Sequence, residues 1–247
     1  MSVPLALAAT AALAAGDPQL PRPYEFSQVH MGLPVRILLH ASDERRAETA
    51  ARAAFARIAK LDAMMSDYRP DSELRRLGDD GPGWTPVSPD LLEVLTTAIA
   101  VARATDGAFD PTVGPLVALW REARKSGKLP APSAIEAARA SVGWSHVEID
   151  RARGAVRLMK PRMQLDLGGI AKGYILGEAL RVLRMNGLGR ALVESGGDIL
   201  VGSGPPGLAG WRIDAPSADA VFRSRASKLT NAALATSGAS EQFVEVD

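Results

Sequence analysis

The stretch that most constrains the fold of this 247-residue chain is Leu-Asp-Leu-Gly-Gly-Ile-Ala-Lys-Gly at residues 165–173. Its apolar beginning predicts a short strand, its adjacent glycines predict a tight turn, and residues 174–186 carry the periodicity of an amphipathic helix. Glycine has no Cβ, so backbone N–H groups at such a corner can approach an anion closely. Lys172 adds a positive charge at the helix start, and Asp166 adds a carboxylate before the turn. The stretch therefore predicts a cradle for a nucleotide diphosphate; the alternative is a corner whose glycines serve tight packing alone.

The strands and helices predicted around this corner do not alternate one by one. Residues 24–32 and 33–40 form a predicted hairpin, and residues 146–150 and 155–160 form a second one. Helical periodicity fills separate runs between the hairpins, and one of these helices starts at Ser88, which is followed by proline. Adjacent strand pairs with separate runs of helices favour an α+β fold with a largely antiparallel sheet.

Composition narrows the possible classes of function. The formal net charge is +1, with Lys and Arg spread along the chain, which gives no footprint of a nucleic-acid or membrane-surface protein. The chain has no cysteine, which excludes disulfides, thiolate metal sites and a Cys nucleophile. Its three histidines, His30, His40 and His146, form no His-x-x-x-His pair, which argues against a histidine zinc site. Thr236 and Ser237 have no histidine nearby in the sequence, so a Ser-His-Asp hydrolase has little support and no catalytic residue is assigned.

The N-terminus is typical of an exported protein. Residues 3–15 form an uncharged apolar run that is too short to span a bilayer, and Ala12-Leu13-Ala14 supplies an A-x-A-like cleavage site. The pattern predicts a signal peptide over residues 1–15, although the usual basic n-region is missing. An early start codon or a loose apolar tail is the alternative. We expect export to a bacterial periplasm, with no membrane span after signal cleavage.

Five side chains in predicted turns or at element ends are candidates for ligand contact. Tyr68 and Phe109 can each pack on a flat ring, or each can belong to a small satellite cluster of the core. Asp110 can accept hydrogen bonds from a nucleotide, or it can cap the turn that follows it. Met31 lies at a strand end, where methionine more often fills the core. Lys172 opposes the helix dipole, which is unfavourable unless an anion lies nearby.

Six motifs in register carry a family resemblance that covers the chain from about residue 24 to its end. They lie at residues 31–32, 66–68 with 71–74, 107–114, 166–173, 196–198 and 235–238. Their order and spacing resemble those of the FAD:protein FMN transferases, the ApbE-type flavin transferases. The resemblance implies one flavin transferase domain over residues 24–247, with an α+β architecture of the T-fold type.

The resemblance also implies a reaction and its cofactors. Members of this family split the pyrophosphate of bound FAD with the help of a divalent ion, usually Mg²⁺. FMN moves onto a Thr hydroxyl of a partner flavoprotein, for example a redox-pump subunit, and AMP is released. Gly169 falls where the family offers a backbone carbonyl to the metal. The positions that contact FAD in the family correspond here to Met31, Tyr68, Ala108, Phe109, Asp110, Asp166 and Lys172.

The match fails at three places. Leu33 stands where the family has Thr after Met-Gly, and Gly78 stands where it usually has Asn. Family members also continue into a His-x-x-Asp-Pro-x-Thr-Gly segment and a late helix with Asp and Thr metal ligands, whereas this sequence ends at Asp247. We therefore expect a C-terminally truncated member with weak FAD binding and slow transfer, because Mg²⁺ needs about six oxygen ligands.

Three functions are consistent with these residues. The main hypothesis is a flavin transferase that labels a partner flavoprotein. One alternative is an FAD pyrophosphatase of the same family, which releases FMN and AMP without labelling a protein. The other is a non-catalytic FAD-binding remnant, because the late metal ligands of the family are missing.

Overall fold

The computed structural model describes residues 20–79, 83–214 and 226–236. These residues form two compact units, of which the first contains those up to Ala59 and those from Ile175 onward. The second unit runs from Lys60 to Tyr174. The predicted signal peptide lies outside the described residues.

Both helices and antiparallel strands are well represented, which confirms the predicted α+β class. The strands are β1 (Arg22–His30), β2 (Leu33–Ala41), β3 (Thr85–Pro86), β4 (Val147–Asp150), β5 (Ala155–Leu158), β6 (Ala191–Ser195), β7 (Asp198–Val201), β8 (Trp211–Asp214), β9 (Ala226–Leu229) and β10 (Ala232–Leu234). The helices are α1 (Glu44–Met65), α2 (Glu73–Asp79), α3 (Pro89–Ala104), α4 (Gly114–Ser126), α5 (Pro132–Arg139) and α6 (Ala171–Met185), and a 3₁₀ turn covers Trp144–His146. Within the described part of the chain, none of these helices has the length and hydropathy that a membrane crossing requires.

The first unit is built on a five-stranded antiparallel sheet with the strand order β1-β2-β6-β7-β10. The predicted hairpin of β1 and β2 is confirmed, and its strands pair from Arg22 with Ala41 to His30 with Leu33. Its two-residue turn follows His30 and has φ angles of 54° and 73°. Left-handed φ at both positions is what a type I′ turn requires, and such a turn matches the twist of the strands.

The centre of this sheet is buried on both faces. On one face lies an apolar cluster formed by Leu38, Leu192, Ile199, Val201, Trp211 and Ile213. Ile37 and Leu39 alternate with Leu38 along β2 and are fully buried on the other face. A strand that is buried on both faces has a nearly continuous apolar sequence.

The second unit contains a three-stranded antiparallel sheet with the strand order β3-β5-β4, which includes the second predicted hairpin. Helix α3 starts as predicted, because Pro89 is its first residue and the Ser88 hydroxyl accepts a hydrogen bond from the Leu91 N–H at 3.2 Å. Its inner face is apolar, and Leu91, Val94 and Leu95 are buried. The side-chain cap and the buried apolar face thus both support the predicted position of α3.

The strand predicted at the start of the glycine-rich stretch is wrong. Gln164 instead forms an isolated parallel bridge with Val113. The Asp166 N–H donates to the Pro111 carbonyl at 2.8 Å. One bridge does not make a strand, because a sheet strand needs a ladder of paired residues. These contacts hold the segment beside the 107–114 motif.

Helix α6 begins earlier than predicted, at Ala171 instead of Tyr174. The Ala171 N–H donates to the Leu167 carbonyl at 2.7 Å, so hydrogen bonding with helical spacing starts inside the glycine-rich turn. Lys172 and Gly173 therefore lie in the first turn of the helix.

Candidate functional site

The glycine-rich turn is closed by its own hydrogen bonds. Asp166 Oδ1 accepts from the Gly168 N–H at 2.8 Å. The N–H groups of Ile170 and Ala171 donate to the Leu167 carbonyl at 2.9 and 2.7 Å. Three N–H groups at this corner are thus engaged within the turn and are not held open for an anion. The turn therefore offers fewer backbone N–H groups to an anion than its glycines alone predict.

Gly169 and Lys172 of this corner, with Ala108 and Phe109 of the 107–114 motif, are predicted site residues. Gly168, Gly169 and Ala108 are exposed, and Lys172 is half-buried in the first turn of α6. The half-buried ring of Phe109 lies against Gly169, since a Cβ added at Gly169 would be 3.1 Å from Cε2 of the ring. The absence of a side chain at Gly169 lets the aromatic ring approach the turn, so these two residues share one surface.

Asp110 caps the turn that follows it, which is one of the two alternatives open from the sequence. Its Oδ1 accepts from the N–H and the hydroxyl of Thr112 at 2.8 and 2.6 Å. Its Oδ2 accepts from the Trp144 N–H at 3.0 Å. The Thr112 hydroxyl in turn accepts from the Gly143 N–H at 2.8 Å. The carboxylate thereby joins the 107–114 motif to the 3₁₀ turn, and a contact of Asp110 with FAD stays a prediction.

Arg121 of α4, which the sequence did not single out, joins two predicted site residues. Its guanidinium carbon lies 4.1 Å from the centre of the Tyr68 ring. Its Nη2 is 3.3 Å from Asp166 Oδ2, and its Nη1 forms an ion pair with Asp67. A charged residue on an amphipathic helix usually marks the solvated face, so helical periodicity gives no signal for such a role.

These four residues, Asp67, Tyr68, Arg121 and Asp166, form what we name the Arg121 cluster. Burial by itself would lower the pKa of Arg121, but the hydrogen bond and charge of Asp67, together with Tyr68 and Asp166, raise it overall. The side chains of Asp67 and Asp166 are 20% and 12% exposed. Their attraction to the guanidinium is therefore less screened than that of a surface pair.

The predicted site residues fall in both units. Met31 belongs to the first unit, where it is the half-buried first residue of the β1–β2 turn. The contacts within the second unit bring Tyr68 and Asp166 to one guanidinium and Phe109 to Gly169. The predicted residues of the second unit are Tyr68, Ala108, Phe109, Asp110, Asp166, Gly169 and Lys172.

The described residues supply few ligands for a metal ion. Among them, no group of three or more His, Cys, Asp or Glu side chains is placed to hold one. Mg²⁺ takes about six oxygen ligands, with carboxylates among them. The predicted Gly169 carbonyl is neutral, and the Asp166 carboxylate is bound by Arg121 and Gly168. These residues do not form a Mg²⁺ site by themselves.

Comparison with known proteins gives a consistent family. The ApbE family model matches residues 31–247, a range that contains every predicted site residue. The FAD:protein FMN transferase of Klebsiella pneumoniae (strain 342) is 30% identical over 230 residues, which cover 92% of this chain and 69% of that protein. The FAD:protein FMN transferase of Salmonella typhimurium is 35% identical over 142 residues, which cover 55% of this chain and 40% of that protein. The crystal structure of the ApbE protein from Thermotoga maritima matches with a TM-score of 0.80 and 31% identity, over 92% of this chain and 74% of that chain.

Sequence and structure therefore agree on the same relatives. The chain spans between 40% and 69% of the length of these two transferases. The family model covers most of the chain, and the Thermotoga structure shares the fold across 92% of it. These matches confirm the resemblance that the motifs carry, and this chain belongs to the ApbE family.

Proposed function

We propose that this chain is an FAD:protein FMN transferase, which moves FMN from FAD onto a Thr hydroxyl of a partner flavoprotein and releases AMP. Family membership supports the proposal, and the Klebsiella relative is named for the same transfer. The observation that carries it is the corner in the second unit. There, Tyr68 and Asp166 share the Arg121 cluster, and Phe109 lies on Gly169 at the turn that Asp166 begins.

The residues of this corner suit a flavin dinucleotide. Tyr68 is 76% exposed, so with one face of its ring against Arg121 the other face is accessible to a flat ring. Each oxygen of Asp166 can accept a further hydrogen bond beyond those from Gly168 and Arg121, which suits a ribose hydroxyl or an amine. Lys172 supplies a cation for the diphosphate. In the proposed function, these groups bind and orient FAD.

The proposed reaction is a phosphoryl-type substitution. The acceptor Thr oxygen forms a bond to the phosphorus atom on the FMN side of the pyrophosphate, and the bond from that phosphorus to the AMP oxygen breaks. The proton of the Thr hydroxyl passes to solvent, and AMP leaves as a phosphate monoester that keeps the bridging oxygen and the electron pair of the broken bond. Catalysis of such a step consists mainly of positioning and stabilisation of charge. We assign no general base to a described residue.

We further propose that the transfer depends on Mg²⁺, with the Gly169 carbonyl as one ligand. Other ligands would be phosphate oxygens, water or groups outside the described residues, because the described ones do not complete a site. When bound, the ion would neutralise charge on the phosphates. We also propose a periplasmic location after removal of residues 1–15, and a redox-pump subunit as one class of acceptor. Both rest on the sequence and the family resemblance alone.

The test uses the purified chain with FAD, Mg²⁺ and a flavoprotein that carries an acceptor Thr. Flavin fluorescence on the acceptor after denaturing electrophoresis would support transfer, and an acceptor with Thr replaced by Ala is the control. Free FMN and AMP without labelling would favour the pyrophosphatase instead. FAD retention with neither product would indicate a binding module. A chain that neither binds nor turns over FAD would contradict the proposal.

A further inference from the structure

Arg121 contacts two of the predicted FAD residues at once, although no sequence motif singles it out. Its guanidinium covers the Tyr68 ring at 4.1 Å and reaches Asp166 Oδ2 at 3.3 Å. We propose that Arg121 is a positioning residue that holds the Tyr68 ring and the Asp166 carboxylate in place for FAD. This inference rests on the proposed function, since FAD is the ligand that both side chains would contact.

The Tyr68 ring needs a partner to be held in one orientation. It lies on a turn where the Ser66 hydroxyl accepts hydrogen bonds from the N–H groups of Tyr68 and Arg69, both at 3.3 Å. Those bonds restrain the backbone, whereas the residue as a whole is 76% exposed. A side chain that is exposed and without a contact loses entropy when a ligand orders it. The cation–π contact with Arg121 restrains the ring before FAD arrives and leaves its opposite face accessible.

The contacts with the two carboxylates and the Tyr68 ring require a cation that is planar and carries several separate N–H donors, as the Arg121 guanidinium does. Asp67 follows helix α1 and Asp166 precedes the glycine-rich turn, so one side chain ties two distant segments to α4. The planar fork of Arg presents separate N–H groups to the two acids while its face rests on an aromatic ring. Lysine is a point charge on a flexible stem and cannot make all three contacts together. Loss of Arg121 would leave both partly buried acids without their shared cation, close to where the FAD diphosphate is expected.

The first experiment compares Arg121→Gln and Arg121→Lys with the native chain and with Arg124→Gln. Arg124 is an exposed residue of the same helix, so its variant is a matched control. The dissociation constant for FAD is measured from the quenching of flavin fluorescence, and circular dichroism melting shows that each variant is folded. We expect Arg121→Gln to bind FAD about tenfold more weakly, and Arg121→Lys to recover only part of that loss. Arg124→Gln should stay within about twofold of the native chain.

The second experiment distinguishes positioning from a general loss of stability. In a double-mutant cycle with Tyr68→Leu, Arg121→Gln should weaken FAD binding less than it does in the native background, because its action through the ring is already lost. Strictly additive effects, or an unchanged dissociation constant in Arg121→Gln, would overturn the inference while the native chain still binds FAD. If the native chain and Arg124→Gln both fail to bind FAD, the proposed function has failed, and the inference falls with it.

Discussion

Gly114 shows how tightly the candidate site is built, and its replacement by alanine tests that construction. It is the first residue of α4 and lies against the main chain of Gln164. A Cβ added at Gly114 would be 2.6 Å from the Gln164 carbonyl oxygen and 2.9 Å from its carbonyl carbon. Gly114 is not among the residues with left-handed φ, so the restriction is space and not backbone conformation.

The magnitude follows from this distance. Ordinary contact begins near 3.4 Å, so the Gln164 main chain or the start of α4 must move by about 0.8 Å. Neither can rotate away as a flexible side chain can. Overpacking of this kind costs about 1–3 kcal/mol. The better helix propensity of alanine offsets little of this cost, because it applies to a helix interior and Gly114 is the first residue of α4. We expect Gly114→Ala to lower the free energy of unfolding by about 1–3 kcal/mol.

Gly173→Ala is the matched control, because Gly173 also lies in the first turn of a helix, and a Cβ there would have no atom of the described residues within 4 Å apart from its chain neighbours and its own helix. It should raise the free energy of unfolding by up to about 1 kcal/mol. Urea unfolding followed by circular dichroism measures both variants. FAD affinity should also fall in Gly114→Ala, since Gln164 is two residues before Asp166. If Gly114→Ala were as stable as the native chain, the close approach of α4 to the Gln164 main chain would not restrict residue 114 to glycine.

Three other substitutions each test one residue. Gly169→Ala should change the free energy of unfolding by less than about 1 kcal/mol, because the Phe109 ring 3.1 Å away can shift. FAD affinity, measured by fluorescence quenching, should nevertheless fall. An unchanged affinity would contradict the placement of FAD at this turn. Asp110→Ala should lower the free energy of unfolding in urea by at least about 2 kcal/mol, because Thr112 and Trp144 lose a charged acceptor. Burial lowers the pKa of His40 below its ordinary value of 6.5. The folded state thus favours the neutral ring, so stability from this group is present above pH 6.5 and is lost as the pH falls towards the lowered pKa. Across this range, the melting temperature of His40→Gln should depend less on pH than that of the native chain. An equal dependence would exclude His40 as the source of the pH dependence.

The sequence predicts those elements for which a local signal and tertiary packing agree. Helix α3 is one, because Ser88 and Pro89 fix its start and its buried stripe fixes its face. The segment around Leu165 is the counterexample. Leu165 and Leu167 are buried with the alternation of a strand, yet the adjacent Gln164 makes only an isolated bridge. Alternation reports which side chains are buried, whereas pairing depends on a neighbouring strand that the local sequence does not contain.

The residues of the candidate site also divide into those that the sequence predicts and those that it does not. Tyr68 and Phe109 are recognisable as candidates because aromatic residues in turns stand out against the helical and strand periodicities. Arg121 is not, because its importance lies in contacts with residues 54 and 45 positions away in the chain, at Asp67 and Asp166. A contact between segments so far apart leaves no trace in the local pattern of α4. The sequence thus predicts which side chains can meet a ligand better than it predicts which side chains hold them.

Asp166 and Asp110 show that holding the fold and meeting a ligand are not alternatives for the same carboxylate. Asp166 closes the glycine-rich turn through Gly168 and binds Arg121, and Asp110 bonds to Thr112 and Trp144. Protein donors therefore fix the direction of both acids before a ligand arrives. Both oxygens of Asp166 and Oδ2 of Asp110 each retain a second lone pair for a ligand, whereas Oδ1 of Asp110 already accepts two hydrogen bonds from Thr112. An alanine at either position removes both the hydrogen bonds within the protein and any contact with the ligand. Loss of FAD binding in such a variant would therefore not show that the carboxylate contacts FAD. Asparagine at residue 166 preserves an oxygen for the Gly168 N–H and removes the charge that Arg121 binds. The comparison of asparagine with alanine at this position therefore separates the shape of the turn from the charge of the Arg121 cluster.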